Sequence, residues 1–412
     1  MQRKLLAVGC ACLLAVTALT GCGRGEPDPK EEGGMLTLEQ VLQSAGPQDL
    51  TCPEYDLAKY TASYRDSQII YNETVMFVRQ DGKFTERKLL YRPAKVLEVR
   101  NYALDRLYEE GRDYQVTADG IQILPGSAMP VLDESDFYVE QPGSSDTAFQ
   151  SISTGKYLRY DEGSYFPSHQ VCVTYVRTEA YYGPEAEASG KLTKTLAKLR
   201  ARENLKIVFY GDSLMAGCNA SGFSGYAPHM PMFSELVTDR LKEHYGYTGE
   251  TAISSVNTAV GGWLSETGKG DLQSRVLDHQ PDLVVLGFGG NDGTFGVSAE
   301  AYGTNMVWMI DKIKRQNPDC EILLMSNQCM NEDATTPANG GLPFVRTQNE
   351  LFSVLGDIAS GYSDVVYVNT TAMYYDFILQ RKQYCDILAS NMGHPSDFLC
   401  RAYAQWILHE LI

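Results

Sequence analysis

The sequence predicts an α/β protein in which a β-sandwich precedes a three-layer α/β/α domain with a five-stranded parallel sheet. In residues 50–180, short Val, Ile, Tyr and Phe segments alternate with turn signals such as Gln80-Asp81-Gly82 and Pro125-Gly126-Ser127. This texture is typical of a sandwich. From residue 205 onward, apolar strands alternate with helical patterns, which is typical of a parallel sheet covered by helices on both faces.

The N-terminal end predicts export. Arg3 and Lys4 precede an apolar run that is too short to span a bilayer, so we predict a signal peptide over residues 1–21. Leu19-Thr20-Gly21-Cys22 resembles a bacterial lipobox, which implies lipidation of Cys22 and a lipoprotein anchored to the outer face of the cell membrane. The alternative is an ordinary signal peptide with a chance cysteine. Residues 22–36 are polar and rich in Gly and Pro, as in a flexible tether.

The remaining chain divides into three predicted parts: a β-sandwich accessory domain at 37–182, a linker helix at 183–204 and the α/β/α domain at 205–412. A short helix is expected near the start of the first part. Strands of the α/β/α domain are predicted at Lys206–Tyr210, Ala252–Val256, Leu283–Phe288, Ile322–Ser326 and Val365–Asn369. Its helices are predicted at Met230–His244, Gly270–His279, Ala299–Gln316, Phe344–Ile358 and about Ser396–Leu411.

Charge and cysteine spacing argue against several kinds of partner and site. The net charge is −17, and it becomes −19 when residues 1–21 are removed with Arg3 and Lys4. Nucleic acids and anionic membrane surfaces attract Lys and Arg, so neither is expected as a partner. The cysteines form no Cys-x-x-Cys motif, so a zinc site is not expected. We expect no metal and no organic cofactor.

Four short segments lie where the chemistry of an open α/β sheet is found. The first three directly follow the first three predicted strands, and the fourth opens the last predicted helix. They are Gly211-Asp212-Ser213, Asn257–Trp263, Gly289–Asp292 and Gly393–Asp397. Ligands of such sheets bind beyond the carboxyl ends of the strands, so these segments are expected to meet.

Their residue types suit acyl transfer, which needs a nucleophile, a base and donors for the developing oxyanion. Ser213 supplies the hydroxyl, and His394 can take its proton because an imidazole titrates near neutral pH. The backbone N–H groups of Ser213 and Gly262 and the side-chain amide of Asn291 can form an oxyanion hole. A glycine at position 262 allows a close approach of the backbone.

These four segments, in this order, resemble the SGNH/GDSL hydrolase family over residues 205–412. The resemblance implies a flavodoxin-like fold and a serine esterase with Ser213, Gly262, Asn291 and His394 in the roles given above. The added β domain is similar in architecture to the family 2 carbohydrate esterases. Such a resemblance implies a carboxylic ester hydrolase that deacetylates a polysaccharide.

One position departs from the family pattern, which usually has an aspartate three residues before the histidine. Here that residue is Asn391. Asn391 Oδ1 or a backbone carbonyl could orient the ring in a Ser–His dyad, which we favour. Asp397 or Asp386 could replace the missing acid, or the protein could be slow or inactive.

Three further residues are candidates for the substrate cleft: Asp212, Trp263 and His229. Trp263 could stack on a sugar or simply pack its loop. Two alternative functions stay open. The same site could hydrolyse acyl lipids or thioesters, or the protein could be a non-catalytic lipoprotein that binds glycan.

Overall fold

A computed structural model describes residues 34–84, 86–141, 149–185, 188–328 and 330–412. The predicted signal peptide (1–21), Cys22 and most of the tether (22–36) lie outside the described residues. Met35–Ile412 form one compact unit. Within the described ranges, no helix is both long and apolar enough to cross a membrane.

The described strands and α-helices are numbered here in chain order. The strands are β1 (Ile69–Met76), β2 (Val78–Gln80), β3 (Lys83–Phe84), β4 (Arg87–Lys88), β5 (Pro93–Asn101), β6 (Leu107–Tyr108), β7 (Tyr114–Val116), β8 (Gly120–Ile123), β9 (Leu132–Asp133), β10 (Tyr138–Val139), β11 (Gln150–Ser151), β12 (Tyr157–Leu158), β13 (Gln170–Arg177), β14 (Leu205–Gly211), β15 (Ile253–Asn257), β16 (Leu283–Gly287), β17 (Glu321–Met325), β18 (Ala334–Thr335) and β19 (Val365–Val368). The helices are α1 (Leu38–Ser44), α2 (Leu57–Tyr60), α3 (Thr193–Ala201), α4 (Ser213–Ala216), α5 (Ser221–Ser224), α6 (Phe233–Tyr245), α7 (Ser265–Arg275), α8 (Gly290–Thr294), α9 (Ala299–Gln316), α10 (Phe344–Ser360), α11 (Thr370–Ala372), α12 (Tyr384–Ile387) and α13 (Asp397–His409).

The C-terminal part contains the predicted five-stranded sheet, in the order β15-β14-β16-β17-β19. All its pairings are parallel. Alternate side chains of β14 enter two different cores, as the two-residue period of a strand requires. Ile207 and Phe209 pack in a cluster with α6 and α13, whereas Val208 and Tyr210 pack in a cluster with α7, α9 and α10. The α/β/α prediction is confirmed.

The predicted helices also form, with one clear difference in bounds. The helix expected at Gly270–His279 begins at Ser265 and ends at Arg275. Its first turn is polar and contains Gly268, so neither apolar periodicity nor helix propensity marked its start. Gly268 lies against the ring of Phe288, and tertiary packing therefore fixes this helix where propensity does not.

The N-terminal part consists of small sheets around an antiparallel sheet in the order β1-β13-β5-β6. A β-rich region therefore precedes the α/β/α domain, as predicted. One hydrophobic cluster contains residues of β1 and β13 together with α6 and α13. A further small sheet, in the order β10-β12-β11-β18, joins strands of the N-terminal part to β18 of the C-terminal part. The predicted boundaries at 182 and 204 stay predictions.

Two buried ion pairs connect the same two parts. The Arg87 guanidinium lies 2.6 Å from the Asp386 carboxylate, and the Lys382 ammonium lies 2.6 Å from Glu73. All four side chains are at least nine-tenths buried. The N-terminal sheets are thus held directly against the segment that leads to the predicted histidine.

Candidate active site

Ser213 lies at the carboxyl end of β14, the second strand of the parallel sheet, where the chain turns into the short helix α4. Gly211 ends the strand, and a Cβ there would lie 1.8 Å from the carbonyl oxygen of Gly287 on β16. A larger residue would therefore push the two strands apart. The Asp212 carboxylate accepts hydrogen bonds from the N–H groups of Leu214 (3.0 Å) and Gly290 (3.1 Å). These bonds fix the turn and leave Ser213 with 8% of its surface exposed.

The structure brings His394 onto Ser213. Nε2 of His394 lies 3.0 Å from Oγ of Ser213. The backbone of His394 is held by two bonds, in which its N–H donates to Ser390 Oγ (3.1 Å) and its carbonyl accepts from the N–H of Ala389 (2.8 Å). The predicted nucleophile and base therefore stand at hydrogen-bond distance, although 181 residues separate them.

Asn219 orients the histidine ring. Its Oδ1 lies 2.6 Å from Nδ1 of His394, and its Nδ2 donates to the carbonyl of Asp161 at 3.2 Å. Since Nδ2 must face that carbonyl, the amide oxygen must face the ring. Nδ1 then carries the proton, and the lone pair of Nε2 faces the Ser213 hydroxyl. This is the tautomer that a general base requires.

Burial keeps the imidazole neutral. His394 is 7% exposed, and burial lowers its pKa to about 4, although the nearby Glu162 carboxylate acts in the opposite direction. Loss of hydration disfavours the charged ring, and the Asn219 amide brings no negative charge to restore it. At neutral pH the ring can accept a proton from Ser213.

The two predicted oxyanion segments lie beside Ser213. A Cβ on Gly261 would lie 3.7 Å from Cβ of Ser213, and Gly262 has a φ of +79°, a conformation that favours glycine. Nδ2 of Asn291 donates to the carbonyl of Trp263 at 3.2 Å, which holds the amide against this turn and leaves its second hydrogen for another acceptor. Ser213 is the first residue of α4, and an N–H at that position has no acceptor inside a helix.

The chain is similar to a known protein family and to several known proteins. Residues 209–398 match the model of the GDSL-like lipase/acylhydrolase family, and the match includes all four segments. The chain contains a GDSL-like lipase/acylhydrolase domain. Among curated proteins, it is 30% identical to an arylesterase of Vibrio mimicus over 26% of its own length. It is 28% identical to the thioesterase 1/protease 1/lysophospholipase L1 of Escherichia coli over 39% of its length. The chain spans 48% and 64% of the lengths of these two relatives.

Solved structures similar to this chain include a lipase/acylhydrolase and two esterases. A lipase/acylhydrolase from Enterococcus faecalis is 20% identical with a TM-score of 0.39, over 50% of this chain and 94% of that one. An acetylxylan esterase from Geobacillus stearothermophilus is 21% identical with a TM-score of 0.41, over 51% and 94%. A two-domain esterase active on acetylated mannans is 21% identical with a TM-score of 0.40, over 54% and 52%.

The GDSL-like domain uses none of the predicted substitutes for the family's aspartate at the ring. Asn391 was expected to orient the ring, but its Nδ2 donates to the carbonyls of Phe137 (3.1 Å) and Arg159 (3.2 Å). Its backbone has a φ of +60°, which directs the side chain toward the N-terminal sheets. This corrects the prediction, because Asn219 takes that role.

The two acids considered as replacements are also engaged elsewhere. The Asp397 carboxylate accepts from Ser221, at 2.8 Å from its N–H and 2.6 Å from its hydroxyl. Asp386 pairs with Arg87. Asn219 carries no motif in the sequence, and only the tertiary structure reveals its role.

The three predicted cleft residues of the GDSL-like domain have different surroundings. Asp212 is fully buried, and burial raises its pKa to about 7, so it supports the turn and does not line a cleft. Trp263 is half-buried, with the Arg275 guanidinium 5.2 Å from the centre of its ring. His229 is exposed and lines a surface cavity whose described lining includes neither Ser213 nor His394. These positions do not support a role of Asp212 or His229 at the reacting atoms.

Proposed function

We propose that this protein is a carboxylic ester hydrolase in which Ser213 is the nucleophile and His394 the general base. The observation that carries the proposal is the continuous contact from Ser213 Oγ to His394 Nε2 (3.0 Å) and from His394 Nδ1 to Asn219 Oδ1 (2.6 Å). A hydroxyl, a neutral base and a fixed orienting group are the three parts of an activated serine.

The reaction follows the usual two halves of acyl transfer. The Ser213 proton moves to Nε2 of His394 while Oγ bonds to the acyl carbon, and the carbonyl oxygen becomes an oxyanion. The N–H groups of Ser213 and Gly262 and the amide of Asn291 stabilise that charge. The intermediate collapses, and the leaving alkoxide takes the proton from the imidazolium. Water then repeats the sequence to release the acid and restore Ser213.

We further propose a small acyl group, acetate, on a polysaccharide as the natural substrate. The nucleophile is 8% exposed, and the neighbouring Gly261 and Gly262, which carry no side chains, are exposed. This arrangement suits a short acyl group on a large polar alcohol better than a long chain that needs an apolar channel. Export and anchoring through Cys22, proposed from the N-terminal sequence, would bring the enzyme to extracellular glycans.

The test is acetate release from 4-nitrophenyl acetate and from acetylated xylan by the purified protein, beside Ser213→Ala. Turnover of both substrates that is lost in the variant supports the proposal. Equal turnover by parent and variant would exclude Ser213 as the nucleophile. Turnover of the nitrophenyl ester alone would support the esterase activity and exclude acetylated xylan as a substrate.

A second candidate keeps the site and changes the substrate to acyl thioesters or lipid esters. It is favoured by the match to a protein named thioesterase 1/protease 1/lysophospholipase L1. Rates with nitrophenyl esters of two to sixteen carbons separate the two candidates. A maximum at acetate favours the polysaccharide, and a maximum at long chains favours the lipid. If no ester is hydrolysed, binding to glycan without turnover becomes the function to test.

A further inference from the structure

A tyrosine of the N-terminal part also faces the catalytic histidine. The Tyr160 hydroxyl lies 3.4 Å from Nδ1 of His394. The two rings pack edge to face, with their centres 6.0 Å apart. The rings of Tyr160 and Phe149 also pack edge to face, with their centres 5.5 Å apart. The N–H at Nδ1 thus faces two oxygens, with Asn219 Oδ1 the nearer one at 2.6 Å.

The hydroxyl of Tyr160 connects the histidine to a carboxylate. It lies 2.6 Å from Oε1 of Glu162. An ionised carboxylate only accepts hydrogen bonds, so the phenol O–H must donate to Glu162. The lone pairs of the phenol oxygen then face Nδ1–H of His394. Each donor in this series of hydrogen bonds, from His394 through Tyr160 to Glu162, therefore has an acceptor. The carboxylate of Glu162 at its end carries the negative charge.

We infer that Glu162, acting through Tyr160, stabilises the protonated form of His394 during the reaction and so serves in place of the acid that the family usually has near position 391. This rests on the proposed esterase function. When Ser213 gives its proton to Nε2, the ring becomes an imidazolium whose Nδ1–H stays directed at Asn219 and Tyr160. The ring does not transfer its Nδ1 proton to Tyr160, because the Tyr160 hydroxyl stays protonated and donates its hydrogen to Glu162. Glu162 and Tyr160 are therefore positioning residues.

The other charged and titratable groups around the ring do not serve this role. The Asp161 carboxylate accepts from the N–H of Gly163 at 2.8 Å, and Asp212 lies beneath Ser213 with its own donors. Burial raises the pKa of the Cys218 thiol to about 12, so it stays neutral. Burial and the bond to Glu162 raise the pKa of Tyr160, which keeps its hydroxyl protonated. The charge of Glu162 raises the pKa of His394 against the effect of burial.

This assignment makes the N-terminal part a component of the catalytic site. Tyr160 and Glu162 follow β12, whose sheet also contains β18 of the C-terminal part. Ser151, next to β12 in that sheet, donates to the Asp333 carboxylate at 2.6 Å. The segment is thus fixed to the α/β/α domain through this shared sheet.

The test is direct titration of the His394 ring by NMR in protein labelled at its six histidines, with His394→Gln to assign the signal. The variants are Glu162→Gln and Tyr160→Phe, with Glu140→Gln and Tyr157→Phe as matched controls. Removal of a negative charge near the ring should lower the His394 pKa by about half a unit or more in Glu162→Gln. Tyr160→Phe should shift it in the same direction. The two controls should titrate like the parent.

Kinetics provide the second readout. In Glu162→Gln, kcat/KM for 4-nitrophenyl acetate at pH 7.5 should fall about tenfold. The acidic limb of the plot of kcat/KM against pH should move to lower pH. Glu162→Asp should recover part of the rate. An unchanged His394 pKa in both variants overturns the inference whatever the activity. A shifted pKa in a protein without Ser213-dependent turnover would support the inference and overturn the proposed function alone.

Discussion

Oδ1 of Asn219 lies 2.6 Å from Nδ1 of His394, and this contact determines which ring nitrogen carries the proton. The amide is fixed in turn by the carbonyl of Asp161. Asn219 has a φ of +67°, a conformation that asparagine tolerates better than most residues. A neutral amide therefore orients the ring as a carboxylate does in a charged triad, but it brings no negative charge to the imidazolium.

Replacement of Asn219 should separate orientation from charge. Asn219→Ala frees the ring, and kcat should fall about 10²–10⁴-fold, by analogy with loss of the orienting group in serine proteases. Asn219→Asp keeps an acceptor and adds a charge that raises the His394 pKa, so its acidic limb should move to higher pH. Kinetics from pH 4 to 9 measure both. Near-parental kcat in Asn219→Ala would exclude an orienting role.

Asn391 should affect stability more than catalysis. Asn391→Ala loses two hydrogen bonds to backbone carbonyls and places alanine at a positive φ, so we expect a destabilisation of about 1–3 kcal/mol. Asn391→Gly loses the same bonds without the backbone strain and should be less destabilised. Urea unfolding compares the two. In both, kcat at 20 °C should stay within about threefold of the parent. A loss as large as in Asn219→Ala would return the orienting role to Asn391.

The sequence was sufficient for those parts of the site that depend on local pattern. Ser213 follows an apolar strand, and strand ends in a parallel sheet share one edge, so its meeting with the segments of Gly262, Asn291 and His394 could be predicted. Asn219 could not, because it lies in a loop and only the folded chain brings it to Nδ1. Tyr160 is 234 residues from His394 and belongs to a region without motifs. The predicted role of Asn391 failed because a positive φ turns its side chain away.

The pH profile should extend further into acid than that of an ordinary histidine. Burial lowers the pKa of His394 to about 4, and the neutral ring is the active form. Activity is therefore kept as pH falls through 6.5 and is lost only near pH 4. We expect kcat/KM at pH 5.5 to stay within about twofold of its value at pH 7.5. Loss of kcat/KM with a midpoint near pH 6.5, in protein that circular dichroism shows to be folded, would contradict the lowered pKa of His394.

The side-chain amide of Asn291 should act mainly in the transition state. Asn291→Ala removes one oxyanion donor, so kcat for 4-nitrophenyl acetate should fall about 10²–10³-fold with a small change in KM. Asn305→Ala is the matched comparison, because the Asn305 side-chain amide donates to Ser265 Oγ at 3.0 Å and not to the carbonyl of Trp263. A variant that changes KM alone would place Asn291 in substrate binding.

The buried pair of Arg87 and Asp386 should govern the stability of the two parts together. Burial alone raises the pKa of Asp386, but Arg87 and then Lys382 outweigh it and hold this pKa below its usual range. The stabilisation is therefore present above the unfolded pKa and is lost in strong acid. Asp386→Ala leaves a buried cation without its partner, which should cost about 3–5 kcal/mol in urea unfolding at pH 7.

The exposed pair of Lys194 and Asp319 provides the control for that experiment, because its Nζ–Oδ1 distance of 2.8 Å is similar. Water screens both groups, so Asp319→Ala should leave the urea midpoint unchanged. Asp386 lies on α12 and Arg87 on β4, so the N-terminal sheets and the α/β/α domain should unfold in one common transition. Loss of the buried pair should lower the urea midpoint of that transition. Two separate transitions, with only one displaced, would show that the parts unfold independently.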